Sequence, residues 1–330
     1  MKYTNKMQGR AGRFFSVGLV CCTFLSGCSS RTELTDAFQA DRAGFEIREQ
    51  AEFHDISYFA EDLCVVNENV EAIEADTEEA LAACFFDIDS KEILYAKNVH
   101  EQMYPASTTK IMTALLALKY GNLDDQVTVS KTAITFNESG VSNVKLKEGD
   151  VLTLRQLLHA LLVVSANDAA NVIAEHIGGS IDGFAVMMNE EAARIGATNT
   201  HFVNPHGLHN EEHYTTAYDL YLMFEKALEY DEFEEILSLP SYETSYLSAG
   251  GAAVKASWSS SNLFTKGNVT VPEGITAVGG KTGTTTAARS CLVQLFEDAD
   301  EKRYVAIILS CKERAILYEE MKTFLSNLNN

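Results

Sequence analysis

Two serines, two lysines and an asparagine stand in three short strings along this chain, Ser107-Thr-Thr-Lys110, Ser165-Ala-Asn167 and Lys281-Thr282-Gly283. Together they hold what acyl transfer through a serine requires: a hydroxyl nucleophile, an amine to take its proton, and donors for the charge that grows on the attacked carbonyl. A lysine three residues after a serine lies one helical turn away on the same face, so Lys110 can reach Ser107 if a helix runs here. An ordinary lysine, with a pKa of about 10.4, is neutral in only about one molecule in a few thousand at pH 7 and makes a poor base. Burial and a second cation would lower that value, and Lys281 is the cation this sequence offers. An isolated Ser-x-x-Lys is weak, since most are solvated helix faces; the three strings in order carry the weight.

The elements that must position these groups are written in the pattern around them. Pro105 precedes a stripe of Ile111, Ala114, Leu115 and Leu118 at i, i+3, i+4, i+7 spacing, and Gly121 stops it. Ser107 is therefore expected in the first turn of a helix, where unpaired N–H groups favour an oxyanion. Thr153-x-x-Gln156 reads as a capping box opening a helix through Leu157, Leu158, Leu161 and Leu162. A second helix, Asp168 to His176, ends at Gly178-Gly179. Ser165 and Asn167 fall at the break between them, free to enter a cleft; a plain interhelical turn capped by Asn167 or Asp168 fits the same residues. Lys281 follows the apolar run Ile275 to Val278, and Ser290 to Phe296 with Tyr304 to Leu309 reads as a hairpin of buried strands across the polar turn Glu297 to Lys302. Gly283 lacks a Cβ, which lets a ligand backbone lie close to the lysine-bearing strand and add to it. The run Gly280-Lys281-Thr282 is not a phosphate loop, because the glycine that motif needs would stand at Ile275, and Gly274 is one residue too far.

His206, His209 and His213 are dense enough to suggest a metal, but His209-Asn-Glu-Glu-His213 is not the zincin order, and Asn204-Pro205-His206-Gly207 is turn chemistry. A structural loop beside the cleft is expected there, with no metal and no cofactor.

With 330 residues and 46% hydrophobic content, the chain can bury a large core in one or two domains. Its first residues are no part of that core. Lys2, Lys6, Arg10 and Arg13 precede an apolar stretch from Phe14 to Leu25 with no acid before Glu33, the form of a secretory signal. From 29 to about 79 acids dominate over Arg31, Arg42 and Arg48, with no clear strand before Leu81, which reads as an acidic tether. Signal removal takes four positive charges away, so the net charge of −21 becomes −25, which argues against nucleic-acid partners. Cys64, Cys84, Cys291 and Cys311 remain after the signal and Cys28. A Cys291–Cys311 disulfide and buried free thiols are both open.

The three strings in this order resemble the penicillin-recognising serine acyltransferases. The longer contexts Tyr104-Pro-Ala-Ser-Thr-Thr-Lys-Ile-Met-Thr113, Asn204-Pro-His-Gly-Leu208 with His213-Tyr-Thr-Thr-Ala217, and Gly280-Lys-Thr-Gly-Thr-Thr285 resemble the D-alanyl-D-alanine carboxypeptidases of the low-molecular-mass penicillin-binding class, over residues 80 to 328. That resemblance implies removal of the terminal D-alanine from peptidoglycan stem peptides through an acyl-enzyme on Ser107, and acylation by β-lactams as covalent inhibitors. It implies Lys110 as base, Ser165 as proton relay with Lys281 setting the field, and Asn167 on the substrate amide. Ser107 and Thr284 N–H groups would form the oxyanion hole, with Gly283 between the motif and the ligand. Thr282 and Lys281 would take the terminal carboxylate, with Arg314 a positional candidate anchor. One departure stands out: the family usually shows alanine-glycine two to three residues before a cysteine-leucine pair, and here Ala288-Arg289 precedes Ser290-Cys291-Leu292.

Leu25-Ser26-Gly27-Cys28 resembles a bacterial lipobox, which makes Cys28 the lipid attachment site and first mature residue. The expected organisation is a lipoprotein signal over 1–27, the tether over 28–79 and the catalytic domain over 80–330, exported and lipid-anchored on the outer face of the cytoplasmic membrane. The lipid is expected to replace the β-rich domain and anchoring helix that many relatives append. The expected fold is α+β and β-lactamase/transpeptidase-like. A hairpin of Leu81 to Asp87 and Glu92 to Ala96 joins three C-terminal strands in one antiparallel five-stranded sheet. The middle of the chain forms a mostly helical subdomain, and a helix from Arg314 to Leu328 packs back on the sheet. Two other functions share the motifs. A class A β-lactamase would need a Glu-x-x-Leu-Asn loop, which is not found between Asn167 and Lys281; a slowly acylating penicillin sensor has no distinguishing residue.

Overall fold

The computed structural model describes residues 62–138 and 140–328; the signal segment, Cys28 and the first part of the expected tether lie outside them. In chain order the elements are β1 (Val70–Glu71), β2 (Ala82–Asp87), β3 (Glu92–Lys97), a 3-10 turn (Ala106–Thr109) running into α1 (Lys110–Tyr120), β4 (Gln126–Thr128), β5 (Val151–Thr153), α2 (Leu154–Leu162), α3 (Asn167–Gly178) and α4 (Ile181–Arg194). Then come α5 (Ala217–Leu228), α6 (Asp231–Leu237), β6 (Ser241–Leu247), β7 (Ala253–Ser259), β8 (Thr276–Thr285), β9 (Arg289–Glu297), β10 (Arg303–Cys311) and α7 (Arg314–Leu325).

The main sheet is antiparallel in the order β1-β3-β2-β10-β9-β8. It contains the five expected strands, and the two-residue β1 adds an edge that is too short to leave a pattern in sequence. Alternate residues of the central strands serve two cores. Cys84, Phe86, Val293, Val305 and Ile307 face the helical part, where α5 crosses the sheet. Phe85, Leu292, Phe296 and Ile308 face α7, with the Phe85 and Phe324 rings stacked at 5.3 Å. Strands covered on both faces read as continuous apolar runs, as these do. Cys291 belongs to the first core and Cys311 to the second, so the two thiols point to opposite sides of the sheet and are free, like Cys64 and Cys84.

The catalytic unit begins earlier than the expected residue 80. Cys64 and Val66 are buried, the Cys64 N–H donates to Tyr221 Oη at 2.9 Å, β1 pairs with β3, and the Asp76 N–H donates to Thr323 Oγ1 at 3.1 Å. Two buried apolar residues among many acids give no periodicity to read. The helical part also carries a second, unexpected sheet in the order β4-β5-β6-β7. The capping box is present: Gln156 N–H donates to Thr153 Oγ1 at 3.1 Å and Thr153 N–H to Gln156 Oε1 at 2.9 Å. The Gln156 amide then ties α2 to β6 through Thr244 Oγ1 and the Ser245 carbonyl, at 2.7 and 2.9 Å.

Candidate active site

Ser107 stands in the 3-10 turn and not in the first turn of α1, which starts at Lys110. The two threonines of the string cause this. Thr108 Oγ1 donates to the Pro105 carbonyl at 2.7 Å and Thr109 Oγ1 to the Ala106 carbonyl at 2.8 Å, while the Thr108 N–H also turns back to Pro105 at 3.2 Å. Such three-residue closures tighten the backbone, and Ala106 enters it at a left-handed φ of 48°. The result is a half-buried hydroxyl beside a fully buried amine. Lys110 Nζ lies 3.0 Å from Ser107 Oγ and donates to Asn167 Oδ1 at 2.6 Å and to the His206 carbonyl at 2.7 Å.

Asn167 opens α3, and its own N–H donates to the Ser142 carbonyl at 2.8 Å. Ser165, two residues before, holds a left-handed φ of 64°, which turns its side chain out of the helix break. Ser165 Oγ accepts from Lys281 Nζ at 2.9 Å, and that amine also donates to the Thr282 carbonyl at 2.8 Å. The cleft thus has a Ser107–Lys110 pair on one side and a Ser165–Lys281 pair on the other.

β8 is the free edge of the main sheet, so it can accept an extended peptide. Gly283 is required for another reason as well: a Cβ there would stand 2.9 Å from the Pro105 carbonyl, 3.0 Å from Ser107 N and 3.1 Å from Thr108 N. The strand can press against the Ser107 turn only without a side chain. Thr282 Oγ1 pairs with Ser261 Oγ at 2.7 Å, and Arg314 donates to the Ser261 carbonyl. Arg314 therefore sits one residue behind Thr282, and Thr284 is exposed at the strand's open end.

Charge is arranged as the chemistry needs. Burial brings the Lys110 amine well below the usual lysine value; the cation on Lys281 lowers it further, and the Asp168 carboxylate works against both. Lys281 itself is brought down to about 7 by burial and then by Arg314. Asp168, beside Asn167, is raised by burial and restrained by the N–H groups of Leu146, Val144 and Ala169. Among the described residues no group of three or more histidines, cysteines or acids is placed to hold a metal ion.

The histidine loop is structural, as expected, and it touches the site through its backbone. Asn204 Oδ1 accepts from the N–H groups of His206 and Gly207 at 3.2 and 2.7 Å. Gly207, at φ 84°, leaves no room for a Cβ, which would fall 1.8 Å from the Ala106 carbonyl. His213 Nδ1 accepts from the Val203 N–H at 3.1 Å, so Nε2 carries the proton that meets Thr109 Oγ1 at 2.8 Å; burial lowers this ring to about 3, which keeps it neutral. His209 lies edge-on to Tyr104. Ser261, Ser142 and the His206 carbonyl were not expected at the site, and Asp168 was expected only as a cap or the first residue of a helix. The Asn204-Pro205-His206-Gly207 turn was the one signal near the His206 carbonyl; Ser261 and Ser142 had none.

Residues 69–313 match the peptidase family described as D-alanyl-D-alanine carboxypeptidase. The D-alanyl-D-alanine carboxypeptidase DacF of Bacillus subtilis is 39% identical over 158 residues, covering 46% of this chain and 40% of that protein. DacB2 of Mycobacterium tuberculosis, of the same name, is 36% identical over 209 residues, covering 63% of this chain and 67% of that protein. The chain thus spans well under half of the Bacillus relative and about two thirds of the mycobacterial one. Among solved structures, the Streptomyces K15 DD-transpeptidase superposes with a TM-score of 0.71 at 26% identity, over 77% of this chain and 98% of that one. With three quarters of its length matched and its serines and lysines assembled in one cleft, this chain belongs to the D-alanyl-D-alanine carboxypeptidase family.

Proposed function

We propose that this protein is a serine D-alanyl-D-alanine carboxypeptidase. The observation that carries the reading is the buried Lys110 amine, 3.0 Å from Ser107 Oγ, with Lys281 lowering its proton affinity from across the cleft. Ser107 Oγ attacks the carbonyl carbon between the two D-alanines while its proton passes to Lys110 Nζ. The oxyanion is held by the N–H groups of Ser107 and Thr284, and the Asn167 amide orients the substrate. Collapse breaks the C–N bond, and the leaving amine takes the proton of Ser165 Oγ, which recovers one through Lys281 and Lys110. The terminal carboxylate lies against Lys281 and Thr282, with Arg314 behind them. Water then attacks the ester and gives its proton to Lys110, which returns it to Ser107 Oγ as the ester C–O bond breaks.

The purified chain should release D-alanine from diacetyl-L-lysyl-D-alanyl-D-alanine, and Ser107→Ala should abolish release. A penicilloyl adduct without D-alanine release would favour the sensor. Rapid nitrocefin turnover in place of a long-lived adduct would move the assignment to a β-lactamase.

The same reading places the enzyme outside the cytoplasmic membrane, held by a lipid on Cys28. Its support is the order Leu25-Ser26-Gly27-Cys28 after a basic and apolar N-terminus. Among the described residues no helix is long and apolar enough to cross a membrane. Cys28→Ala should move the protein out of the membrane fraction; unchanged partitioning refutes lipidation.

A further inference from the structure

Arg289 opens β9 at a left-handed φ of 56°, a conformation that glycine adopts freely and an arginine only under strain. It stands where the family resemblance leads one to expect glycine. Its surroundings offer no compensation: it is exposed, and among the described residues its side chain has no carboxylate or hydrogen-bond partner. In a chain of net charge −21, a lone guanidinium held in a strained backbone position calls for an anion that arrives from outside.

Its place relative to the nucleophile is fixed by strand register. Gly283 pairs with Cys291, and Thr285 with Arg289. The Gly283 position looks onto Ser107 N, and Cys291 Sγ lies 3.9 Å from the Tyr104 carbonyl, just ahead of the nucleophile turn. Thr285 and Arg289 come two pairs further, beyond Thr284 and Ser290, at the turn end of the β8–β9 hairpin. A peptide whose carboxylate lies at Lys281 and Thr282 and whose scissile carbonyl lies at Thr284 runs antiparallel to β8. Its upstream residues therefore pass Thr285 at about 3.3 Å each, two strand spacings or about 10 Å from the β9 backbone at Arg289, a gap that an arginine side chain and a carboxylate-bearing substrate side chain can close together.

We propose that Arg289 is a specificity-determining residue that binds a carboxylate carried by the substrate on the N-terminal side of its D-alanyl-D-alanine. The inference rests on the carboxypeptidase reading. Two sources supply that chemistry: a side-chain carboxylate on the residue directly before D-alanyl-D-alanine, as in diaminopimelate, and the free carboxylate of a γ-linked D-glutamate one residue further upstream. Arginine suits either, because its planar fork pairs a carboxylate through two hydrogen bonds.

The test measures D-alanine release by the full chain from four peptides. These are diacetyl-L-lysyl-D-alanyl-D-alanine, its N,N′-diacetyl-diaminopimelyl counterpart, and an N-acetyl-γ-D-glutamyl-(Nε-acetyl)-L-lysyl-D-alanyl-D-alanine with its D-isoglutaminyl amide. One of the two carboxylate-bearing peptides should show a kcat/KM about fivefold above its uncharged partner, the scale of a partly exposed charge pair, and which one does so identifies the source. That ratio should fall to near one in Arg289→Gly and Arg289→Gln, and survive in part in Arg289→Lys. A raised melting temperature in Arg289→Gly would show that the lost preference is not lost folding. Equal rates on all four peptides, or a ratio unchanged in Arg289→Gly, would overturn the role of Arg289 alone. Release from none would overturn the carboxypeptidase reading itself.

Discussion

Lys110 Nζ faces Ser107 Oγ at 3.0 Å, and its other two directions are taken by Asn167 Oδ1 and the His206 carbonyl. A neutral amine has two N–H bonds and one lone pair, so two carbonyl-type acceptors absorb both hydrogens and leave the lone pair for the serine proton. Burial and the Lys281 cation make that protonation state accessible at neutral pH.

A guanidinium in the same place would keep its proton. Lys110→Arg should therefore slow acylation of Ser107 by a labelled penicillin by about a thousandfold, the loss of a general base. Stopped-flow or gel-based adduct formation measures it, and a rate within tenfold of wild type would remove Lys110 from the mechanism.

The pH dependence follows from the second lysine. Lys281 is brought down to about 7 by burial and Arg314, and its charge depresses Lys110; in the proposed mechanism it acts protonated, against the substrate carboxylate. As pH rises through about 7, kcat/KM should fall, since that ratio reports the free enzyme. A bound carboxylate favours the ammonium, so the alkaline limb of kcat should lie higher. On the acid side the rate should fall as Lys110 gains its proton. A kcat/KM profile flat between about pH 6 and 9 would contradict this account.

Asp168 is the group that opposes Lys281. Its carboxylate accepts N–H bonds from Val144, Leu146 and Ala169 at 3.2, 3.1 and 3.0 Å, and its charge raises the proton affinity of Lys110. Asp168→Asn keeps the shape and removes the charge, so the Lys110 amine should be easier to deprotonate and the acid limb of kcat/KM should move down by about half a pH unit to one unit. A lower rate with an unmoved limb would mean that Asp168 only holds the 142–146 segment against α3.

Gly283→Ala tests the contact between β8 and the nucleophile turn. The new Cβ would meet the backbone atoms Pro105 O, Ser107 N and Thr108 N at 2.9 to 3.1 Å, and none of them can swing aside as a side chain would. The strand must back away, at a cost of about 1–3 kcal/mol in stability. Because Thr284 moves with it, acylation should drop by about tenfold or more. Denaturant melts and penicillin acylation check the two effects separately, and a wild-type acylation rate would show that the close approach has no catalytic role.

Local order was written into the chain because its causes are local. The Thr153 and Gln156 capping box, the glycine pair that ends α3, the apolar runs of β9 and β10 and the three-residue step from Ser107 to Lys110 depend on neighbours in sequence. The β6–β7 hairpin was missed, because the alternation of Tyr242, Thr244 and Tyr246 carries too little apolar weight to stand out from a helical stretch. By itself the sequence determined which groups could do acyl transfer and which residues begin and end most of the elements that carry them. Tertiary structure alone decided that Asn167 would meet Lys110 across 57 residues and Lys281 would meet Ser165 across 116. It also decided that the His206 and Ser142 carbonyls would serve the site, that Cys291 and Cys311 would face apart, and that Cys64 would join the core. Every residue has a carbonyl and a side-chain direction, and only packing selects which are buried together. The same burial sets the charge on both lysines, which spacing could request but not supply.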